Sequence, residues 1–503
     1  MISSIKKISI LVIFLCATTA CDSLLDPEID NNFSLEDFSN TENIERALNG
    51  AYYSLGGFTD GFSGGELYGG DFILITELIS KRSDIGWLVS AGGADHEGFV
   101  NHDILNINPI VEANWIRAYE VINIVNNILA NLENIDDAQD RNRINGEALA
   151  IRGILNFEMV RLWAPQYGPA STNTPGIPLL LEPVTNIDDL RIPERATVEA
   201  VYNQCISDLT SASALLEPFG QNGVSISYYA CEAFLARIGM QQNNFGAALS
   251  HANNILNDNE FTLLNSPLDA FNNLSNSPED IFAVQQTLAN NAGDRSTGVG
   301  LTTYMSALEE SGFGVFGIID THLFSTSANF TNPGFSANDL RVQADLSTTT
   351  STTSNQITTA LYRNPVNTGF LASSKYLRAD HVIPVVRLAE IHLIRAESIY
   401  ETNPGAISAT ALADLNMIRA RAGLNELQVA DFMTAESFYD SIMIERRREL
   451  FLEGHLLHDL RRTRQFKGDP EIVIGIKIFG ENPLDEDLIL PVPQSETDAS
   501  GLR

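Results

Sequence analysis

Cysteine is scarce in this chain of 503 residues. There are four, at positions 16, 21, 205 and 231. None has the spacing of a thiolate zinc site. Cys205 and Cys231 lie in apolar helical patterns, so buried free thiols are expected there rather than a disulfide. Basic charge is also short: 31 Lys and Arg stand against 64 Asp and Glu, a formal charge of −33. Such a surface repels phosphates, which argues against nucleic acid as a partner. Only three tryptophans are present. After the first twenty residues no apolar run is long enough to cross a membrane. There is no Gly-x-Ser-x-Gly elbow, no nucleotide fingerprint, and no cysteine with an evident histidine partner, so no catalytic constellation and no cofactor are implied.

What is present begins with a leader. "MISSIKK" is positive, "ISILVIFLCA" is a short apolar run, and "TTAC" sets small residues before Cys21. That is the pattern of a bacterial secretory signal over residues 1–20. A cysteine directly after the small residues points to lipoprotein processing, with Cys21 as the lipidated first residue of the mature chain. Thr18 stands where such signals usually have Leu. By length alone two or three domains would fit. No Pro- or Ser-rich linker divides the chain, so a single body over residues 21–503 is expected.

Helical periodicity recurs. "NPIVEANWIRAYEVINIVNNILANL" places Trp115, Tyr119, Ile122, Val125 and Leu129 on one stripe. "RINGEALAIRGILNFEMVRLWAPQYG" does the same with Ile151, Leu155, Met159 and Leu162, and Pro165 stops it. Thr197 is the expected N-cap of the helix that follows, with Glu199 in its first turn. "SYYACEAFLARIGMQQNNFGAALSHANNIL" reads as helix, turn, helix. Ala236, Gly239, Ala248 and Ala252 stand where the two must approach closely, and Phe245 plugs the junction. This is tetratricopeptide-type logic. "RLAEIHLIRAESIYETNPGAISATALADLNMIRARAGL" reads as a second hairpin closed by Gly423. Over residues 258–382 Gly, Ser, Thr and Asn dominate and helical stripes vanish, as in a loop-rich insertion. "GGFTDGFSGGELYGGDF" near the N-terminus is a second loop. It lacks the Lys-Ser/Thr pair of a phosphate-binding loop.

One stretch runs against the acidic composition: "ERRRELFLEGHLLHDLRR", Glu445 to Arg462. His455 and His458 stand at i and i+3, not in the zinc-protease order, and read as packing residues rather than ligands. Arg446, Arg447 and Arg448 are within a turn of Glu445, Glu449 and Glu453, so pairing along the helix is available. Arg461 and Arg462 are expected to meet acidic loops from elsewhere. The cluster therefore reads as internal scaffolding.

The same stretch, extended to "TRQF", resembles the C-terminal signature of the SusD/RagB family, surface lipoproteins of Bacteroidetes that capture nutrients. "SSKYLRADHVIPVVRLAEIHLIRAES", "LNMIRARAGL" and "LILPVPQSE" are similar to segments of that family, in the same order. So are "ALNGAYYSL", "ELISKRSDIGW" and "EALAIRGILNFEMVRLWAPQYG" near the N-terminus. The resemblance implies a mainly α, SusD-like fold with four tetratricopeptide-type hairpins as scaffold and loops on the ligand side. It implies an outer-membrane, surface-exposed lipoprotein that binds a glycan, or in some members a peptide. Its partner would be a SusC-type TonB-dependent transporter, and its activity binding rather than bond-breaking. The acids of "CDSLLDPEID" look like the export tag of such lipoproteins.

The family's contact residues vary, so the ligand site is read from chemistry. Sugars offer flat C–H faces to aromatic rings and hydroxyls to carboxylates and amides. Trp115 and Trp163 fall in helical stripes and are expected in the core. Trp87 lies in a loop region and is the candidate platform, with Asp84 and Tyr68 near it in sequence. Tyr304 and Phe313, in the insertion, are candidates for the same cleft. Two other classes stay open at this point: a surface glycoside hydrolase with a helical body, and a helical scaffold that binds only protein.

Overall fold

The computed structural model describes residues 38–57, 64–80, 85–87, 94–185, 193–218, 225–293, 299–307, 316–319, 335, 338–342, 361–363, 370–467 and 485–500. Cys21 and the leader lie outside them. The scaffold is a succession of helices, most packing on the next in chain order. These are α1 (Thr41–Leu55), α2 (Asp71–Ser80), α3 (Ala94–Asn101), α4 (Pro109–Ala130), α5 (Ala138–Trp163), α6 (Val198–Leu215), α7 (Tyr228–Gln241), α8 (Phe245–Leu256), a short α9 (Leu301–Met305), α10 (Leu388–Thr402), α11 (Ala409–Arg421), α12 (Ala435–Glu449), α13 (Leu456–Lys467) and α14 (Gln494–Ser500).

Local chemistry sets the starts. Asn108 caps α4 through its side-chain oxygen, with Pro109 in the first turn. Asp137, Thr197, Ser227 and Asn244 cap α5 to α8 in the same way, each cap worth about 1 kcal/mol. The α7–α8 hairpin closes as its small residues require: a Cβ on Gly239 would stand 2.9 Å from the Ala248 nitrogen. Phe245 is buried at the junction. Gly423 ends α11 at φ +74°, a conformation that favours glycine. Cys205 and Cys231 are buried free thiols.

Helix α5 departs from the amphipathic reading. From Gly146 onward it is buried on nearly every face, polar residues included. Several of those polar groups are paired: Arg152 makes two 2.8 Å bonds to Asp208, and Glu158 accepts from Tyr68 at 2.9 Å. Its C-terminal carbonyls, which no helical turn can satisfy, are met from elsewhere. Arg461 donates to the Arg161 and Ala164 carbonyls, the Leu490 amide to Leu162, and Arg195 to Trp163. Trp163 is fully buried, with its indole N–H on the Pro491 carbonyl.

The basic C-terminal stretch is scaffolding, but not by the pairing expected. Arg446 bonds Asp459 across the α12–α13 turn at 2.7 Å, and Arg448 reaches Glu445 within the helix at 3.6 Å. Arg462 grips Glu397 of α10 at 2.7 and 2.9 Å, a helix partner rather than a loop. The acids of α12 take arginines from outside it: Glu449 meets Arg387, Arg421 and Arg341. Burial alone would raise the Asp459 carboxyl, but Arg446 and Arg462 more than offset it and hold it low. Residues this interdependent fix the relative placement of three helices.

The insertion carries strands that its composition did not announce. Strands β1 (Ile85–Trp87), β5 (Phe316–Ile319), β7 (Phe370–Ser373) and β6 (Leu361–Arg363) form an antiparallel sheet in the order β1-β5-β7-β6. Two-stranded pairs join β2 (Pro175–Pro178) to β3 (Arg195–Thr197), and β4 (Asp280–Val284) to β8 (Ile383–Arg387). The last pair leads directly into α10 and ties the insertion to the helical body.

Candidate functional site

The site is assembled where the insertion folds back on the N-terminal helices. Strand β1 pairs with β5 in the register Ile85↔Ile318 and Trp87↔Phe316. This sets the Trp87 strand against the segment that follows Phe313. Helix α3 packs on β1, and α9 packs on β5. From these two helices His96 and Tyr304 meet, ring centroids 4.8 Å apart and tilted by 56°. Phe99 stands edge-on to His96 at 6.3 Å.

A glycine stretch makes this convergence possible. The loop at Gly64–Gly70 is close-packed. A Cβ on Gly64 would meet the Ala292 carbonyl at 2.7 Å, and one on Gly69 the Gly56 carbonyl at 2.3 Å. Gly300 starts α9 at φ +85°, against the carbonyls of Gly293 and Ala292. Larger residues would hold the two loops apart and carry Tyr304 away from α3.

Behind the rings lies a polar layer. Asn114 donates to Asp71 at 2.7 Å and accepts from the Leu67 amide at 2.8 Å. Burial pushes the Asp71 carboxyl up to about 8, against the Asn114 bond and with the help of Glu66. At neutral pH it is largely protonated and can donate. Burial also lowers His96 to about 4, so its imidazole is neutral. Asp71 and Asp95 both bear on the Tyr304 hydroxyl, which burial raises well above its ordinary value. An uncharged donor, a neutral imidazole and aromatic edges suit a hydroxyl-rich ligand better than an ion.

Of the residues singled out in the sequence, Trp87 is in β1 and Tyr304 in α9, and the fold brings these elements to one face. The Trp87 side chain, Asp84 and Phe313 lie outside the described residues. Tyr68 is corrected. It is 4% exposed, packed edge-on against Phe72 and Phe282, with its hydroxyl on Glu158. Its proximity to Trp87 in sequence ended at helix α2, which turns it into the core. Tyr304 is itself mostly buried, at 8% exposed. His96, Asp71 and Asn114 were missed. A buried asparagine interrupting the apolar pattern of α4 was the one signal available. Among the described residues no cluster of His, Cys, Asp and Glu is arranged to hold a metal.

Two family models match. One, described as the SusD family, covers residues 325–501, and one described as "Starch-binding associating with outer membrane" covers residues 89–240. The chain is 25% identical to SusD-like protein P2 of Formosa agariphila, over 98% of this chain and 97% of that protein. Its fold matches a SusD superfamily protein from Bacteroides thetaiotaomicron with a TM-score of 0.71 at 22% identity, covering 92% of this chain and 98% of that one. It also matches a putative sugar binding protein from Bacteroides vulgatus with a TM-score of 0.70 at 23% identity, over 92% and 97%. With the two models falling on the C-terminal signature and the N-terminal helices, and with the helical fold shared nearly end to end, the chain belongs to the SusD/RagB family.

Proposed function

We propose that this protein is a glycan-binding lipoprotein of the cell surface that presents oligosaccharide to a SusC-type TonB-dependent transporter. The observation that supports binding is the face where the Trp87 strand, the Tyr304 helix and His96 converge over a neutral polar layer. The starch-binding description of one matching family and the sugar-binding description of one fold relative are consistent with a carbohydrate. Trp87 would serve as the platform, a contribution of about 1 kcal/mol or more.

The test is affinity electrophoresis and titration against a polysaccharide panel. Trp87→Ala is expected to weaken the cognate oligosaccharide about fivefold or more with an unchanged melting curve. Normal binding by that variant would move the ligand elsewhere. Release of reducing sugar by the wild type, lost on changing one carboxylate, would overturn the binding reading for a hydrolase. The anchor has its own test. Cys21→Ala should leave the membrane fraction with its helical circular dichroism intact, whereas equal retention would refute lipidation.

A further inference from the structure

A groove runs along α4, the helix on which α3 with its His96 packs. Near the helix start is a cavity of about 280 Å³ lined by Glu66, Glu112, Arg117 and Glu120. Farther along is one of about 290 Å³, walled by Tyr119, Pro178 and Leu180. Ile116 and Glu120 line both, so the two adjoin. Ile116 is 46% exposed on the ridge between them.

Glu66 gives the groove its chemistry. It is 2% exposed, and its Oε2 has no hydrogen-bond partner among the described residues. An acceptor left so is costly unless a ligand donates to it. Glu112 and Glu120 add negative charge, and the single cation, Arg117, is engaged with Glu120 at 2.8 Å. An anionic ligand is therefore repelled. No metal-holding cluster exists among the described residues. The far wall is mainly apolar and aromatic, with Trp115 and Tyr119 rings 5.1 Å apart, and Asn123 and Glu496 set polar groups beside them. Hydroxyl donors at one end and C–H faces at the other describe a sugar chain. A lysine-rich peptide would satisfy the acids and leave the apolar wall unused.

We propose that this groove is a second subsite, taking the extension of an uncharged oligosaccharide whose other end occupies the Trp87 face. The proposal rests on the glycan reading above and narrows it to neutral, extended chains. The mature protein is titrated with neutral hexasaccharides and trisaccharides of glucose, mannose, xylose and galactose, with hexagalacturonate and with hexalysine. Ile116→Arg blocks the exposed ridge, and Glu112→Gln keeps shape while removing charge from the groove. Both should keep the wild-type melting curve.

Each variant should weaken the bound hexasaccharide about fivefold and leave the matching trisaccharide unchanged, while Trp87→Ala weakens both. If the groove variants bind the hexasaccharide as wild type does and Trp87→Ala does not, the subsite falls and the glycan reading stands. If no neutral sugar binds the wild type, both fall. Binding of hexalysine or hexagalacturonate that the groove variants abolish would overturn the proposal for a charged ligand.

Discussion

Arg462 holds both oxygens of Glu397 and one of Asp459, all three side chains being buried. Two anions and one cation removed from water are tolerable only together. Arg462→Ala would strand the Glu397 carboxylate between α10 and α13 and leave Asp459 to Arg446 alone, and is expected to cost about 3–5 kcal/mol. The denaturant midpoint measures this, and sugar affinity per folded molecule should not change. A loss under 1 kcal/mol would mean that the carboxylates find other partners. At this scale the sequence disclosed the arginines and their scaffolding role but not their partners. Glu397 lies 65 positions away, and only the α10–α13 packing brings it near. Asp71 and His96 were hidden for a similar reason, since their environments arise when Ala292 and Gly300 close on Gly64–Gly70.

Among elements, the hairpins were the most legible, because close approach demands small residues at fixed intervals. Gly239→Val would press against the Ala248 nitrogen and Cβ, both within 3.1 Å of the added Cβ. Thermal or urea unfolding should show a loss of about 1–3 kcal/mol. Gly50 of α1 is the contrast. Nothing stands within 4 Å of a Cβ there. Gly50→Ala should stabilise by about 0.5–1 kcal/mol through lower backbone entropy in the unfolded chain. Equal effects at both sites would refute the packing account. The strands of the insertion could not be read in the same way. β1 pairs with β5 more than two hundred residues on, and a three-residue strand carries too little alternation to show a period.

The whole molecule should have a stability optimum near pH 6.5. Burial lowers His96, His381 and His455 to about 4 and His458 farther, despite the acids Glu390 and Glu453 facing His455 and Asp380 facing His381. The stability they lend is present above the unfolded value of about 6.5 and is lost as pH falls toward 4. Burial raises Asp71 to about 8 and Asp280 to about 7, so their contribution is present below about 4 and drains away as pH rises toward 8. Toward acid the contribution of the histidines is lost, and above 6.5 Asp71 and Asp280 lose theirs. Melting temperature against pH should thus fall on both sides, and Asp71→Asn should flatten the alkaline limb. A flat wild-type profile from pH 6.5 to 8 would contradict the burial of these carboxyls.

The carbonyls at the end of α5 have a consequence in time. Those of residues 161, 162 and 164 are satisfied by Arg461 and Leu490, some three hundred positions later. Contacts of such separation are slow to form, since a long loop must close before they return anything. During synthesis, which runs from the N-terminus, this long and largely buried helix waits with its last turn partly open to water until nearly the whole chain has been made. Shortened chains ending before residue 461 should therefore be loosened at the centre of the molecule rather than at its edge. Arg461 and Leu490 act as a latch, and the order of synthesis makes it the last to shut.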